Sequence, residues 1–177
     1  TLNAFVAQGR PRWQEVRARI TELLSDDRHR PAVEPHLVPQ DSVSLHLPFA
    51  VGDYVDYYAS EDHASNLGRM FRPDQEALTP NWKWMPIGYH GRAGTVVVSG
   101  TPVVRPSGQR KAPADPAPSF GPSRRLDIEA EMGFVVGPGT RLGEPVPLDR
   151  APEHLFGVVL VNDWSARDIQ SWEYQPL

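Results

Sequence analysis

Near the start of the chain, apolar residues recur at steps of three and four. In "PRWQEVRARITELL", Trp13, Val16, Ile20 and Leu23 fall on one face of a helix over residues 11–24. Pro11 suits its first turn, where a missing N–H costs no hydrogen bond. Residues 25–42 are polar and carry prolines, which reads as a connecting loop. The period then drops to two. Val43, Leu45 and Leu47 alternate in "SVSLHLPF" as an extended segment, with a domain boundary expected near Leu47 to Val51. "TVVVSGTPVV" reads as a hairpin turning at Gly100 and Thr101, and residues 105–123 as a Pro/Gly/Ser loop. In "RLDIEAEMGFVV", Leu126, Ile128, Ala130, Met132 and Phe134 alternate with other residues as a strand, and "GPG" ends it. "HLFGVVLVND" is apolar at nearly every position, the mark of a strand buried on both faces. Ser165 to Tyr174 suits a short helix capped by Asp163 or Ser165.

Composition narrows the classes. The 177 residues are 40% hydrophobic and 23% charged, as in a globular protein with one good core, or one domain plus part of another. A net charge of −4 gives no electrostatic basis for binding nucleic acid or an anionic membrane. No apolar run approaches the ~18 residues that span a bilayer. Cysteine is absent, so neither disulfides nor thiolate metal sites form; this fits a reducing compartment, and the cytoplasm is the expected location. Pro (19) and Gly (14) together indicate short elements with many turns.

Against this background the polar clusters stand out. The two-residue strand period puts Asp127, Glu129 and Glu131 on one face, with Glu129 and Glu131 ~6–7 Å apart. Such a face is either a solvated edge of an amphipathic strand or, if the neighbouring strand ending in Asp163 is adjacent, one wall of an oxygen-only cation site. A second cluster, "DYVDYYASEDHASN" (residues 53–66), holds Asp56, three tyrosines and His63, the side chain suited to proton transfer near neutral pH, or else forms an ordinary surface loop. A third, "MPIGYHGRAG", sets Tyr89, His90 and Arg92 among glycines, without the spacing of a phosphate loop. On the closing helix, Arg167, Gln170 and Tyr174 share a face while Ile169 and Trp172 turn toward the core. The plainer reading there is a surface helix whose arginine pairs with Glu173 or Asp168.

Taken together, "DYVDYYASEDHASNLGRMFR", "NWKWMPIGYHGRAGTVVVSGTPVVRPSGQ", "RLDIEAEMGFVVGPG" and "FGVVLVNDWSARDIQSWEYQPL" resemble the fumarylacetoacetate hydrolase family, and the likeness runs through nearly the whole chain. The "NDWSARDIQ" and E-x-E elements recur across the wider superfamily, whereas "GYHGR" and "DYYxSxxHA" point to the fumarylacetoacetase branch. The resemblance implies a mainly β, α+β architecture. Residues 1–48 would be the C-terminal part of a small SH3-like domain with its linker, and residues 49–177 the first part of a mixed β-sandwich roll that acts as a homodimer. It implies hydrolysis of a carbon–carbon bond in a 1,3-diketo acid, giving fumarate and acetoacetate at the end of tyrosine breakdown. By position, Asp56, Glu129, Glu131 and Asp163 match the family's ligands for Ca2+ (or Mg2+), and His63 matches the base that activates water. Tyr58, Arg72, Tyr89, Gln170 and Tyr174 match its substrate contacts, with Arg167 beside them as a catalytic group together with Gln170. The family's lysine for the leaving carbanion and the carboxylate that orients the histidine fall beyond Leu177, so the resemblance implies a longer chain. Two other readings stand beside it: another superfamily enzyme (acylpyruvate hydrolase, decarboxylase or isomerase of keto acids), or a metal-binding β-roll without activity. Against the last, a purely structural cation site has no need of His63 placed with Asp56 and Tyr58.

Overall fold

A computed structural model describes residues 1–174. In chain order the elements are α1 (Asn3–Val6), α2 (Arg10–Ser25), α3 (Arg30–Val33), β1 (Val55–Tyr57), α4 (Glu61–Phe71), β2 (Gly88–His90), β3 (Ser107–Arg110), β4 (Ser119–Pro122), β5 (Leu126–Val136), β6 (Leu155–Ala166) and α5 (Arg167–Glu173), with several short 3-10 turns between them. The strands form three two-stranded antiparallel sheets, β1–β2, β3–β4 and β5–β6, so the fold is mixed α/β built from small sheets. Among the described residues no helix is long and apolar enough to cross a membrane. Two compact units result, one of Leu45–Ser99 with Thr1, the other of Leu2–Ser44 with Gly100–Leu177.

In the first unit the longest described element is α4. Ser60 caps it by accepting the His63 N–H, and Glu61 and Asp62 in the first turn complement the positive end of the helix dipole. The helix stops at Arg72, the residue before Pro73, where proline disfavours helical backbone. Ala64 and Gly68, one turn apart, are its buried positions. Gly68 is glycine because the chain at Ala77 comes too close for any side chain. In the same unit β1 pairs with β2 in the register Val55–His90, Asp56–Tyr89 and Tyr57–Gly88.

The second unit has its core around Trp13, 8% exposed, whose indole N–H donates to the Val6 and Phe5 carbonyls. The Phe156 ring meets Trp13 edge-on at 5.1 Å and Phe5 at 5.9 Å. The helix expected over residues 11–24 is present as α2, but its apolar stripe is only partly used: Trp13 is buried while Ile20 is 50% exposed. The expected loop at 25–42 is broken into short helical turns.

Several expectations are corrected. Gly100 does turn the chain, at φ 87°, yet the flanking valines enter no strand, because an isolated two-stranded ribbon needs a surface to pack on. Conversely, the expected loop at 105–123 contains the β3–β4 hairpin. Its strands carry Gly, Ser and Pro rather than alternating apolar residues, so no period announced it; Arg110 Nη1 braces it by donating to the Pro122 carbonyl at 2.7 Å. The apolar run 155–162 is a strand as expected, but not one buried on both faces. With only β5 as neighbouring strand among the described residues, Val158 and Leu160 stay 57% and 87% exposed, alongside Ile128, Met132 and Phe134. Finally, Asp163 and Ser165 lie inside β6, and α5 starts at Arg167 after Ala166, with no side-chain cap bond.

A candidate carboxylate–arginine site

The antiparallel register of β5 and β6 sets Glu129 opposite Asp163, Asp127 opposite Ser165 and Glu131 opposite Val161. Directly opposed residues share a sheet face, as do residues two apart. Asp127, Glu129, Glu131, Asp163 and Ser165 therefore project from one face, while Ile128, Ala130 and Met132 occupy the other. A carboxylate oxygen of Glu131 and one of Asp163 come within 4.8 Å of each other. The conditional step in reading the E-x-E pair, that the strand ending in Asp163 lies next to it, is met by the β5–β6 ladder, the longest among the described residues.

At the end of β6 the chain turns into α5, and Arg167 folds back along this face. Its Nε donates to Asp127 Oδ2 at 3.0 Å, its Nη2 lies 3.2 Å from Glu129 Oε2, and its Nη1 donates to Gln170 Oε1 at 3.1 Å. Arg167 thus pairs with strand carboxylates and not with Glu173 or Asp168. These side chains are partly exposed, 37% for Arg167, so the pairs add little stability; planar fork geometry on three partners fixes direction instead. Burial pulls the Arg167 pKa down, but its bonds to Asp127 and Glu129 outweigh this and hold it above the ordinary value. The Asp127 carboxyl is held below its usual range, first by Arg167 and then by the Ile128 N–H. The Ser165 hydroxyl donates to Glu129 Oε1, so Glu129 is held from two sides.

The remaining sequence candidates, Tyr174 apart, lie in the first unit. Asp56 sits in β1 opposite Tyr89, whose phenol donates to Asp56 Oδ2 at 2.8 Å. His63 is exposed in the first turn of α4. Tyr58 packs its ring 6.5 Å from that of Trp82, and its carbonyl accepts the Trp82 indole N–H. Arg72 closes α4, with Nη2 on the Ala77 carbonyl at 3.0 Å. In the second unit Tyr174 ends α5, its N–H on the Gln170 carbonyl.

One partner of the site, Ser165, and one pairing, that of Asp127 with Arg167, escaped the sequence reading. Ser165 could have been found, since it stands two residues after Asp163 and so shares its face. Asp127 was placed on the right face, but its bond to Arg167 spans 40 residues and depends on a register that no local pattern specifies.

Chemically the face offers oxygen ligands only, from strands that hold them at fixed spacing, next to a cation and an amide on a helix. Oxygen-only sets suit a hard divalent cation, and the adjoining Arg167 and Gln170 suit an anion forming beside it.

Comparison with known proteins gives a consistent picture. Residues 54–177 match the family model described as fumarylacetoacetate (FAA) hydrolase C-terminal, and residues 1–48 match the one described as fumarylacetoacetase N-terminal. Among curated proteins, the fumarylacetoacetase of Caenorhabditis elegans is 56% identical over 100% of this chain, and those of Rattus norvegicus and Homo sapiens are each 52% identical over 100% of it. The chain covers 44% of the nematode protein and 43% of each of the other two, so it spans less than half the length of these relatives.

Proposed function

The chain belongs to the fumarylacetoacetate hydrolase family, and from that premise we propose that it carries the water-activating and anion-stabilising half of an enzyme hydrolysing a carbon–carbon bond in fumarylacetoacetate. The observation that carries this reading is the pairing of Glu129 with Asp163, with Glu131 on the same face and Arg167 bonded alongside. The relatives named fumarylacetoacetase support it, and the same likeness makes Asp56 the fourth carboxylate ligand. The donor set fits Ca2+ or Mg2+: all ligands are carboxylates, with no sulfur or nitrogen that would favour zinc. An ion held there would act as a Lewis acid toward the diketone oxygen.

The protein's own groups account for the rest of the chemistry. His63 takes a proton from water, and the resulting hydroxide adds to the carbonyl of the fumaryl ketone. The bond from that carbon to the acetoacetate carbon then breaks, leaving the fumaryl half as a carboxylic acid. Its electron pair goes to the acetoacetate half as an enolate, which takes up a proton to become acetoacetate and so balances the one that His63 removed from water. Arg167 and Gln170, already bonded to each other, stand ready to receive that negative charge without reorganising. Arg72 and the phenols of Tyr58, Tyr89 and Tyr174 suit the substrate's carboxylates. By the same family likeness, the enzyme is a cytoplasmic homodimer acting in tyrosine and phenylalanine catabolism. Its catalytic domain is then a β-sandwich roll beginning near residue 49, and residues 1–48 are the end of an SH3-like domain.

The test is made in the full chain. Fumarylacetoacetate should be cleaved in preference to acylpyruvates, and Glu131→Gln should lower divalent-cation affinity and turnover together. Turnover of acylpyruvates alone, or a Glu131→Gln variant with unchanged cation affinity and rate, would overturn the assignment.

A further inference from the structure

A seven-residue helix is too short to hold its own orientation, so what aims α5 has to come from outside it. Asp168, the neighbour of Arg167, takes no part in the carboxylate face. Its Oδ1 accepts the Ser123 hydroxyl at 2.6 Å and its Oδ2 the Arg124 N–H at 2.8 Å, from the chain between β4 and β5. Ser123 is only 3% exposed, and its oxygen also accepts the Arg125 N–H at 3.3 Å. The carbonyl of the same Arg125 accepts the Arg167 N–H at 2.9 Å. Residues 123–125 and 167–168 are thus fastened by both backbone and side chain. Further along the helix, Ile169, 8% exposed, packs against Gly108, and the Trp172 indole donates to Gln109 Oε1 at 2.9 Å.

We propose that Asp168 is a positioning residue: its bonds to Ser123 and Arg124 fix the first turn of α5 and so aim Arg167 at Asp127 and Glu129 with Gln170 in reach. A carboxylate is required because both of its oxygens face donors, and an asparagine would turn an NH2 toward one of them. Burial would raise the Asp168 pKa, yet the Ser123 and Arg124 bonds bring it down to about 2, so the anion persists through any working pH. The proposal rests on the reading of Arg167 as a group that meets the enolate.

Asp168→Asn in the full chain should lower kcat about 10-fold or more, since misplacing such a group by about 1 Å is costly, while KM and cation affinity stay near wild type. In an Arg167→Ala background the same substitution should change kcat less than about twofold, because its effect passes through Arg167. An equal fold loss in both backgrounds would mean a merely structural role and overturn the proposal. Ser123→Ala, which removes a single bond of the clamp, should repeat the pattern more weakly and serves if Asp168→Asn does not fold. A second readout needs no activity: exchange of the Arg167 Nε–H, followed by nitrogen-15 NMR, should quicken about 10-fold in the Asp168→Asn variant. Unchanged exchange would sink the clamp. A wild-type chain that left diketo acids intact would sink the functional reading instead, with the exchange measurement still deciding the clamp.

Discussion

Gly68→Ala sets two physical effects against each other, and the structure decides the sign. Within a helix, alanine is favoured over glycine by about 0.5–1 kcal/mol, so propensity alone predicts a more stable α4. A methyl group at position 68 would, however, stand 1.8 Å from the Ala77 oxygen, 2.6 Å from its carbonyl carbon and 2.8 Å from its Cα. Ordinary contact lies near ~3.5–4.0 Å, and the obstacle is backbone, so no rotamer change relieves it. The segment around Ala77 has to withdraw by roughly 1.5–2 Å to restore that spacing. Withdrawal strains the bond from Arg72 Nη2 to the Ala77 carbonyl. Overpacking costs about 1–3 kcal/mol and a lost bond from a charged donor about 1.5–3; less the propensity gain, the net is roughly 2–5 kcal/mol of destabilisation. Urea unfolding of the full-length variant should show a lower midpoint at unchanged slope. Because α4 also carries His63, turnover should fall with it. A midpoint equal to or above wild type would refute the close approach of Gly68 to Ala77.

Two further outcomes are expected. His63→Ala should reduce kcat by ~10²-fold or more with KM nearly unchanged, because the imidazole meets water and not the diketo acid; near-normal turnover would leave His90 as the next base to test. Asp168 makes stability depend on acid pH: its folded pKa of about 2 lies below the unfolded value near ~3.9, so its contribution is complete above about pH 4 and disappears as pH falls toward 2. The difference in urea midpoint between wild type and Asp168→Asn should therefore narrow over that window, and a constant difference would contradict the bonding of this carboxylate.

How far the residues could be read depended on the range of the interaction. α2 and β5 were legible because each bears a period of its own, 3.6 or 2, over more than ten residues. The common face of Asp127, Glu129 and Glu131 followed from the same period. The β3–β4 hairpin was missed because Gly, Ser and Pro leave no period, and its strands are held by a backbone ladder and Arg110. The hairpin expected at 95–104 failed for the opposite reason, since its valines have the right propensity but no surface to pack on, with Val104 86% exposed, and strand propensity expresses packing more than backbone preference.

By itself, the sequence determined which side chains are present, which of them share a strand or helix face, and, through its motifs, the family. Tertiary structure alone decided that Glu129 stands opposite Asp163, that Arg167 turns to Asp127 and Glu129 and away from Glu173, and that Asp168 fastens α5 to Ser123. The physical reason is that a period constrains neighbours within one element, whereas a strand register and a salt bridge spanning 40 residues are chosen by the energy of the whole ladder and its packing.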